Sequence, residues 1–419
     1  MYFKTPNHKI VPLLFFSLLS LFHPVSAQPV TDAFLEKLLK KHPQRFESIL
    51  RNQEELEIQV IYTRIDRDRN GVPSFSTYRY RVEPVRYFYP GGSIGLAAAA
   101  LALEKINNLG IQGLTRDTPM LTLAGGSTPK EVLKDSTSEN GLPSVGHYIR
   151  RLLLADDPEA YDRLFEFLGQ EYFNDNMRSR GYTNFRAAGR LGTDAENRYT
   201  NPVKFVEGNR TLYEQKELYS EKTYTAAEPI RKGKGYYKDG RLIEGPMDFQ
   251  DRDFFNLQEQ HRFLMNLMFP EKAPPAEKLN LSEKDYDFLY RYMSQLPVET
   301  EYPEHYSEIL DDASVKYLLF GKTRKRTPRQ IRSFNKIGEG YGYLVDNAYI
   351  ADFEMGVEFL LSAVIYCNRN QVFEDGAYEY EPTGYQFMAD LGKTILEYEL
   401  ARKRKDRPNL ERFEVEYDK

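Results

Sequence analysis

Apolar and polar positions change their period several times along the chain, and each change marks an element. Between Thr31 and Leu50 the apolar residues Phe34, Leu38 and Phe46 share one side, which predicts an amphipathic helix. Strict alternation at Leu56, Ile58, Val60 and Tyr62 then predicts a strand. Asp66 to Gly71 reads as its turn, Phe75 to Val82 as the return strand, and Val85 to Tyr89 as a further extended piece. From Ser93 to Asn107 nearly every position is apolar until Glu104, the mark of a helix buried all round. The middle of the chain reads as helices and loops, with helices at His147 to Leu154, Tyr161 to Leu168, Leu257 to Met268 and Leu281 to Met293. One hairpin turn interrupts it, at Lys238-Asp239-Gly240-Arg241. Strands return at Tyr341 to Ile350 and Val357 to Tyr366, joined through Glu354-Met355-Gly356, and a last helix runs from Gly384 to Arg402. Strands at both ends must meet in one sheet, with the centre as a helical insertion.

Composition narrows the class. The first 27 residues have the form of an export signal: Lys4 and Lys9, an apolar run from Ile10 to Phe22, then the small-residue pattern Val25-Ser26-Ala27. No later apolar run reaches the roughly 18 residues needed to span a bilayer, so the expectation is an exported, periplasmic or secreted protein without a transmembrane segment in its mature chain. The net charge of −5 argues against a nucleic-acid partner. With 26 Phe and 31 Tyr the chain can bury a large core, and its single cysteine, Cys367, allows no intrachain disulfide. The histidines show no ligand spacing, and His261 lies on an apolar helical stripe, where a hydrogen-bonded core role fits best. No metal or cofactor is implied. Asp66-x-Asp68-x-Asn70-Gly71 has half of a calcium-loop pattern, but Thr77 stands where the closing glutamate belongs, so a polar hairpin turn is the reading.

The richest segment is Tyr89-Pro90-Gly91-Gly92-Ser93-Ile94-Gly95-Leu96. Gly91 to Gly95 match G-x-S-x-G, in which glycines permit a sharp strand-to-helix turn that exposes a serine. The plainer alternative is glycines where a strand meets a closely packed helix. With serine at 92 and lysine at 95 the segment would instead be an S-x-x-K nucleophile box. Downstream, Lys336, Gly338, Gly340, Tyr341, Gly342, Asp346 and Ala348 fall in register with K-T-G-x-G-Y-G-x-x-x-D-x-A. On these residues the chain resembles the class A β-lactamase and penicillin-binding-protein-like serine hydrolases, in an exported β-lactamase-related branch. The resemblance covers nearly all of residues 31 to 402.

That resemblance implies an α+β fold. A five-stranded antiparallel sheet flanked by terminal helices would be built from residues 28–110 and 331–419, with a helical domain at 111–330. It also implies a cleft lined by the Gly91–Gly95 turn, the Asp156-Asp157 loop and the Lys336 strand. Lys336, Gly338 and Glu339 would stand at the substrate edge, for a peptidoglycan- or β-lactam-like ligand. The departures fall on the chemistry. Gly92 and Gly95 replace the nucleophile and its lysine, Asp156-Asp157-Pro158 replaces S-D-N and keeps only the central acid Asp157, and Ile337 replaces a hydroxyl residue. Losing members of such a unit costs orders of magnitude in rate. The expectation is therefore a degenerate relative that acts as a binding or scaffold protein near the cell wall. The alternative is an active serine hydrolase using Ser93. A third outcome, a cleft filled by its own side chains, would show Ile337 and its neighbours closing it. Two further S-x-x-K strings, Ser127 to Lys130 and Ser333 to Lys336, read as coincidences, and the basic run Lys322 to Arg332 as a solvated loop.

Overall fold

A computed structural model describes residues 1–2, 29–126, 130–192 and 197–419. All but two residues of the expected signal segment, and most of the Ser127 string, lie outside the described residues. The chain begins with α1 (Ala33–Lys40) and α2 (Pro43–Arg51). These are two helices where the periodicity predicts one. Pro43 offers no backbone N–H and sits at the first turn of α2, so the helical bonding ends before it and restarts after it. The hairpin β1 (Gln59–Arg67) and β2 (Pro73–Tyr80) follows. Asp68 Oδ1 closes its turn by accepting from the amides of Asn70 and Val72, each at 2.9 Å. The segment from Val85 to Tyr89 is irregular rather than extended, and leads into a 3-10 turn, Gly91–Ile94, and α3 (Gly95–Leu109). Every residue of α3 from Gly95 to Leu103 is buried, as the missing polar face requires.

The middle contributes β3 (Met120–Thr122), α4 (Val145–Ala155), α5 (Pro158–Leu168) and α6 (Gln170–Ser179). It also holds more strand than its pattern announces: β4 (Val203–Glu207), β5 (Arg210–Gln215), β6 (Arg231–Lys232), β7 (Gly235–Lys238), β8 (Arg241–Glu244) and β9 (Met247–Asp248). These strands are short, and most positions outside β4 are exposed or half-buried, so little alternation can develop along them. Then come α7 (Leu257–Met268), α8 (Glu283–Ser294) and the short turns α9 (Tyr306–Ile309) and α10 (Tyr317–Phe320). The chain closes with β10 (Ile331–Gly340), β11 (Tyr343–Asp352), β12 (Val357–Tyr366), β13 (Val372–Phe373) and α11 (Gln386–Ala401).

The fold is α+β. The two ends of the chain meet in one antiparallel five-stranded sheet, ordered β10-β11-β12-β1-β2, with Lys336 opposite Asn347 and Gly338 opposite Val345. One face packs on α1, α2 and α11 through Leu35, Leu38, Phe46, Phe359, Leu361, Met388 and Ile395. The other faces α3, α4, α7 and α8 through Leu101, Ile149, Leu264, Met293, Phe334 and Leu360. A sheet covered on both faces explains why β11 and β12 are buried at every position rather than alternating. His261 fastens α7 to the sheet, with Nε2 2.8 Å from Thr63 Oγ1 and Nδ1 2.8 Å from Ser362 Oγ. Burial pushes its pKa down to about 3, so it stays neutral, the core role expected of it.

Candidate functional site

The three boxes of the resemblance converge where α3, α4 and β10 meet. Side chains alternate along β10, so Lys336 and Gly338 face the helical domain while Ile337 faces the terminal helices. A Cβ at Gly338 would lie 1.9 Å from the Pro90 carbonyl oxygen, and one at Gly340 2.8 Å from the Tyr89 ring. Gly91 has φ +52, and a Cβ there would lie 2.7 Å from the Glu339 amide nitrogen. Glycine on both sides lets the 89–93 segment lie backbone to backbone against the edge strand. The site is filled, but not by Ile337, which is buried on the opposite face of the sheet.

The filling group is Asp156. It ends α4 in the left-handed region, at φ 54, a conformation that aspartate tolerates better than most residues. From there its carboxylate reaches the place a side chain at position 92 would take: a Cβ on Gly92 would lie 1.8 Å from Asp156 Oδ1. The carboxylate pairs with the Lys336 ammonium, which also donates to the Ile337 carbonyl at 3.1 Å. Lys336 is 2% exposed. Burial pushes the Asp156 pKa up, and the Lys336 charge beside it works against that rise.

The other expected site residues are committed to structure. A Cβ at Gly95 would lie 2.9 Å from Leu152 Cδ1, so Leu152 of α4 occupies the path a lysine there would follow. Ser93 is buried, and its hydroxyl donates to the Pro90 carbonyl at 2.7 Å rather than to a base. The amides of Ser93 and Gly95 are bonded to the carbonyls of Pro90 and Gly92, so neither is turned to an oxyanion. Asp157 caps α5 by accepting from the amides of Glu159 at 2.9 Å and Ala160 at 3.2 Å, and also takes hydrogen bonds from Arg151 and Tyr306. Glu339 Oε2 accepts from the hydroxyls of Tyr317 at 2.8 Å and Tyr385 at 2.7 Å. Ser333 and Lys336 lie three apart on a strand and so point to opposite faces.

Beneath Lys336 lies a polar chain that the motif left without a role. Lys316 donates to Asn335 Oδ1 at 2.7 Å, Asn335 donates to Asp346 Oδ1 at 2.8 Å, and Asp346 Oδ2 accepts from the Leu318 amide at 2.8 Å. Burial pushes Lys316 down to about 7 and Asp346 up to about 6. Asp346, a motif position, holds α10 against the sheet. Among the described residues no three His, Cys, Asp or Glu side chains are grouped to hold a metal ion. Nor is any described helix long and apolar enough to cross a membrane.

Sequence reasoning missed that Asp156 fills the site. The available signal was complementarity: against the motifs the chain resembles, Gly92 stands at a serine position, Asp156 at another serine position, and Lys336 at a lysine position.

No protein-family model matches the chain, and no curated protein matches it. Among solved structures it is similar to a β-lactamase from Sphaerobacter thermophilus, with 12% identity, 86% of this chain and 96% of that one covered, and a TM-score of 0.44. It is also similar to a β-lactamase from Burkholderia phymatum, with 14% identity, 87% and 100% covered, and a TM-score of 0.45. A third similar structure, the penicillin-binding protein PBP-A, has 10% identity, 89% and 98% covered, and a TM-score of 0.46.

Proposed function

We propose that this chain is an exported β-lactamase-like protein that has lost acyl-enzyme chemistry and serves as a binding or scaffold protein near the cell wall. One observation carries the reading: the Asp156 carboxylate, paired with Lys336, stands where the nucleophile's side chain would have to be. A serine at position 92 would have to displace the Asp156 carboxylate, and a glycine packed on Leu152 stands at position 95 where its partner lysine would be. Catalysis by this fold's chemistry needs both groups within hydrogen-bond reach of each other. The edge formed by Lys336, Gly338 and Glu339 would take a peptidoglycan- or β-lactam-like ligand only where an external carboxylate displaces Asp156 from Lys336.

The test is covalent labelling of the purified mature protein with a fluorescent penicillin and a fluorophosphonate, read by intact mass. No adduct with either reagent, on folded protein, is the expected result. An adduct on Ser93 would overturn the reading and establish a serine hydrolase. Co-sedimentation with purified peptidoglycan checks the binding half, and protein left wholly in the supernatant would count against it.

A further inference from the structure

The hairpin of β7 and β8 stands apart from the rest of this acidic chain. Its base is anchored: β7 pairs in parallel with β13, and Lys232 just before it is bound by Glu57. Its tip is the two-residue turn Asp239-Gly240, with φ 51 and 73, and β8 forms the edge of its small sheet. Three large apolar side chains are exposed on this short finger: Tyr237 at 39%, Leu242 at 51% and Ile243 at 39%. Tyr237 and Leu242 are cross-strand partners on one face, and Ile243 lies on the other. The apolar surface therefore wraps the finger rather than covering a buried side. Around it stand Arg231, Lys234, Lys238 and Arg241, all exposed and in none of the ion pairs among the described residues, with the acids Asp239 and Glu244 on the hairpin and Asp248 opposite Arg231. From Arg231 to Glu244 five cations stand against two acids, the reverse of the balance of the whole chain, which has 57 Lys and Arg against 62 Asp and Glu.

We infer that the β7–β8 hairpin is a membrane-surface anchor. It seats Tyr237, Leu242 and Ile243 among the headgroups of an anionic bilayer while the four cations meet the lipid charges. Apolar side chains flanked by basic ones are what such a surface retains, and each cation near it adds to the attraction. The opposite charge on the body of the protein keeps the contact local and makes it salt-sensitive. A site for an anionic polymer would use the cations and leave Leu242 and Ile243 without purpose.

Flotation of the mature protein with phosphatidylcholine vesicles, with and without phosphatidylglycerol, tests the inference. The protein should float with the anionic vesicles and not with the neutral ones, and binding should fall as salt rises. The pair Lys238→Glu and Arg241→Glu should lower the partition coefficient by at least about thirtyfold. The pair Leu242→Ser and Ile243→Ser should lower it about tenfold or more. Both pairs lie at exposed positions, and an unchanged melting transition separates lost binding from lost fold. Wild-type protein that fails to float with anionic vesicles would overturn the inference. So would full binding by the Leu242/Ile243 variant, which would mark a charge-only site.

Discussion

Placing a serine at position 92 should destabilise this protein and create no acyl-enzyme chemistry. The 91–94 turn has no positive φ at Gly92, and by helix propensity alone a serine there would gain about 0.5 kcal/mol over glycine. The tertiary contact reverses the sign. The new Cβ would lie 1.8 Å from Asp156 Oδ1, so the carboxylate must swing away and leave the buried Lys336 ammonium with the Ile337 carbonyl alone. Breaking a buried pair while leaving one charge in place costs about 3–5 kcal/mol. The Asp156 side chain keeps 20% of its exposure, which lowers the expected loss to about 2–3 kcal/mol. Equilibrium denaturation of wild type, Gly92→Ser, Asp156→Gly and the double variant measures this directly. In the Asp156→Gly background the space is free, so the serine should cost much less and the coupling should exceed about 1.5 kcal/mol. A loss below about 0.5 kcal/mol in the wild-type background, or the same loss in both, would refute the argument. The same Gly92→Ser protein should stay unlabelled by fluorescent penicillin, because Leu152 still fills the lysine path.

Three further expectations follow from groups around this frame. His261→Gln should be less stable than wild type at neutral pH. The His261 pKa is depressed, so its stability contribution is present above about 6.5 and lost as pH falls toward 3. The two stability curves should therefore converge on acidification, over a span of at most about 4–5 kcal/mol, and parallel curves would count against a neutral buried histidine. Lys105 is pushed by burial to about 7 and donates to the Phe167 and Leu168 carbonyls at the end of α5 and to Gln215. Lys105→Met should cost about 2–3 kcal/mol in chemical denaturation by leaving those acceptors unpaired. Tyr341 holds φ 50 in the β10–β11 turn, with its ring centroid 4.8 Å from Tyr89 and 5.2 Å from Phe249. Tyr341→Asn should relieve backbone strain yet lose about 1–2 kcal/mol net, whereas a gain in melting temperature would show that strain outweighs the ring contacts.

Local signals carried most of the frame. Period-2 alternation gave β1, and Asp-Gly gave the β7–β8 turn because only such residues accept two successive positive φ values. The apolar run gave α3 as a buried helix. The break in the N-terminal helix was missed by the periodicity, although Pro43, which cannot extend the bonding of α1, was its signal. The short strands β3 to β6 and β9 were not legible, because segments of two to six residues carry too little period to detect.

The sequence by itself determined the long elements, the meeting of the chain ends in one sheet and the positions at which its segments depart from the motifs they resemble. These depend on backbone preference and on neighbours within a few residues. How the segments around 92, 156 and 336 meet was decided only by the tertiary structure. Asp156 and Gly92 are far apart in the chain, and nothing in either segment says that a carboxylate will take the volume a side chain has vacated. Close packing supplies the reason: a void beside a buried lysine is costly on both volume and charge, and a single aspartate at the end of α4 satisfies both.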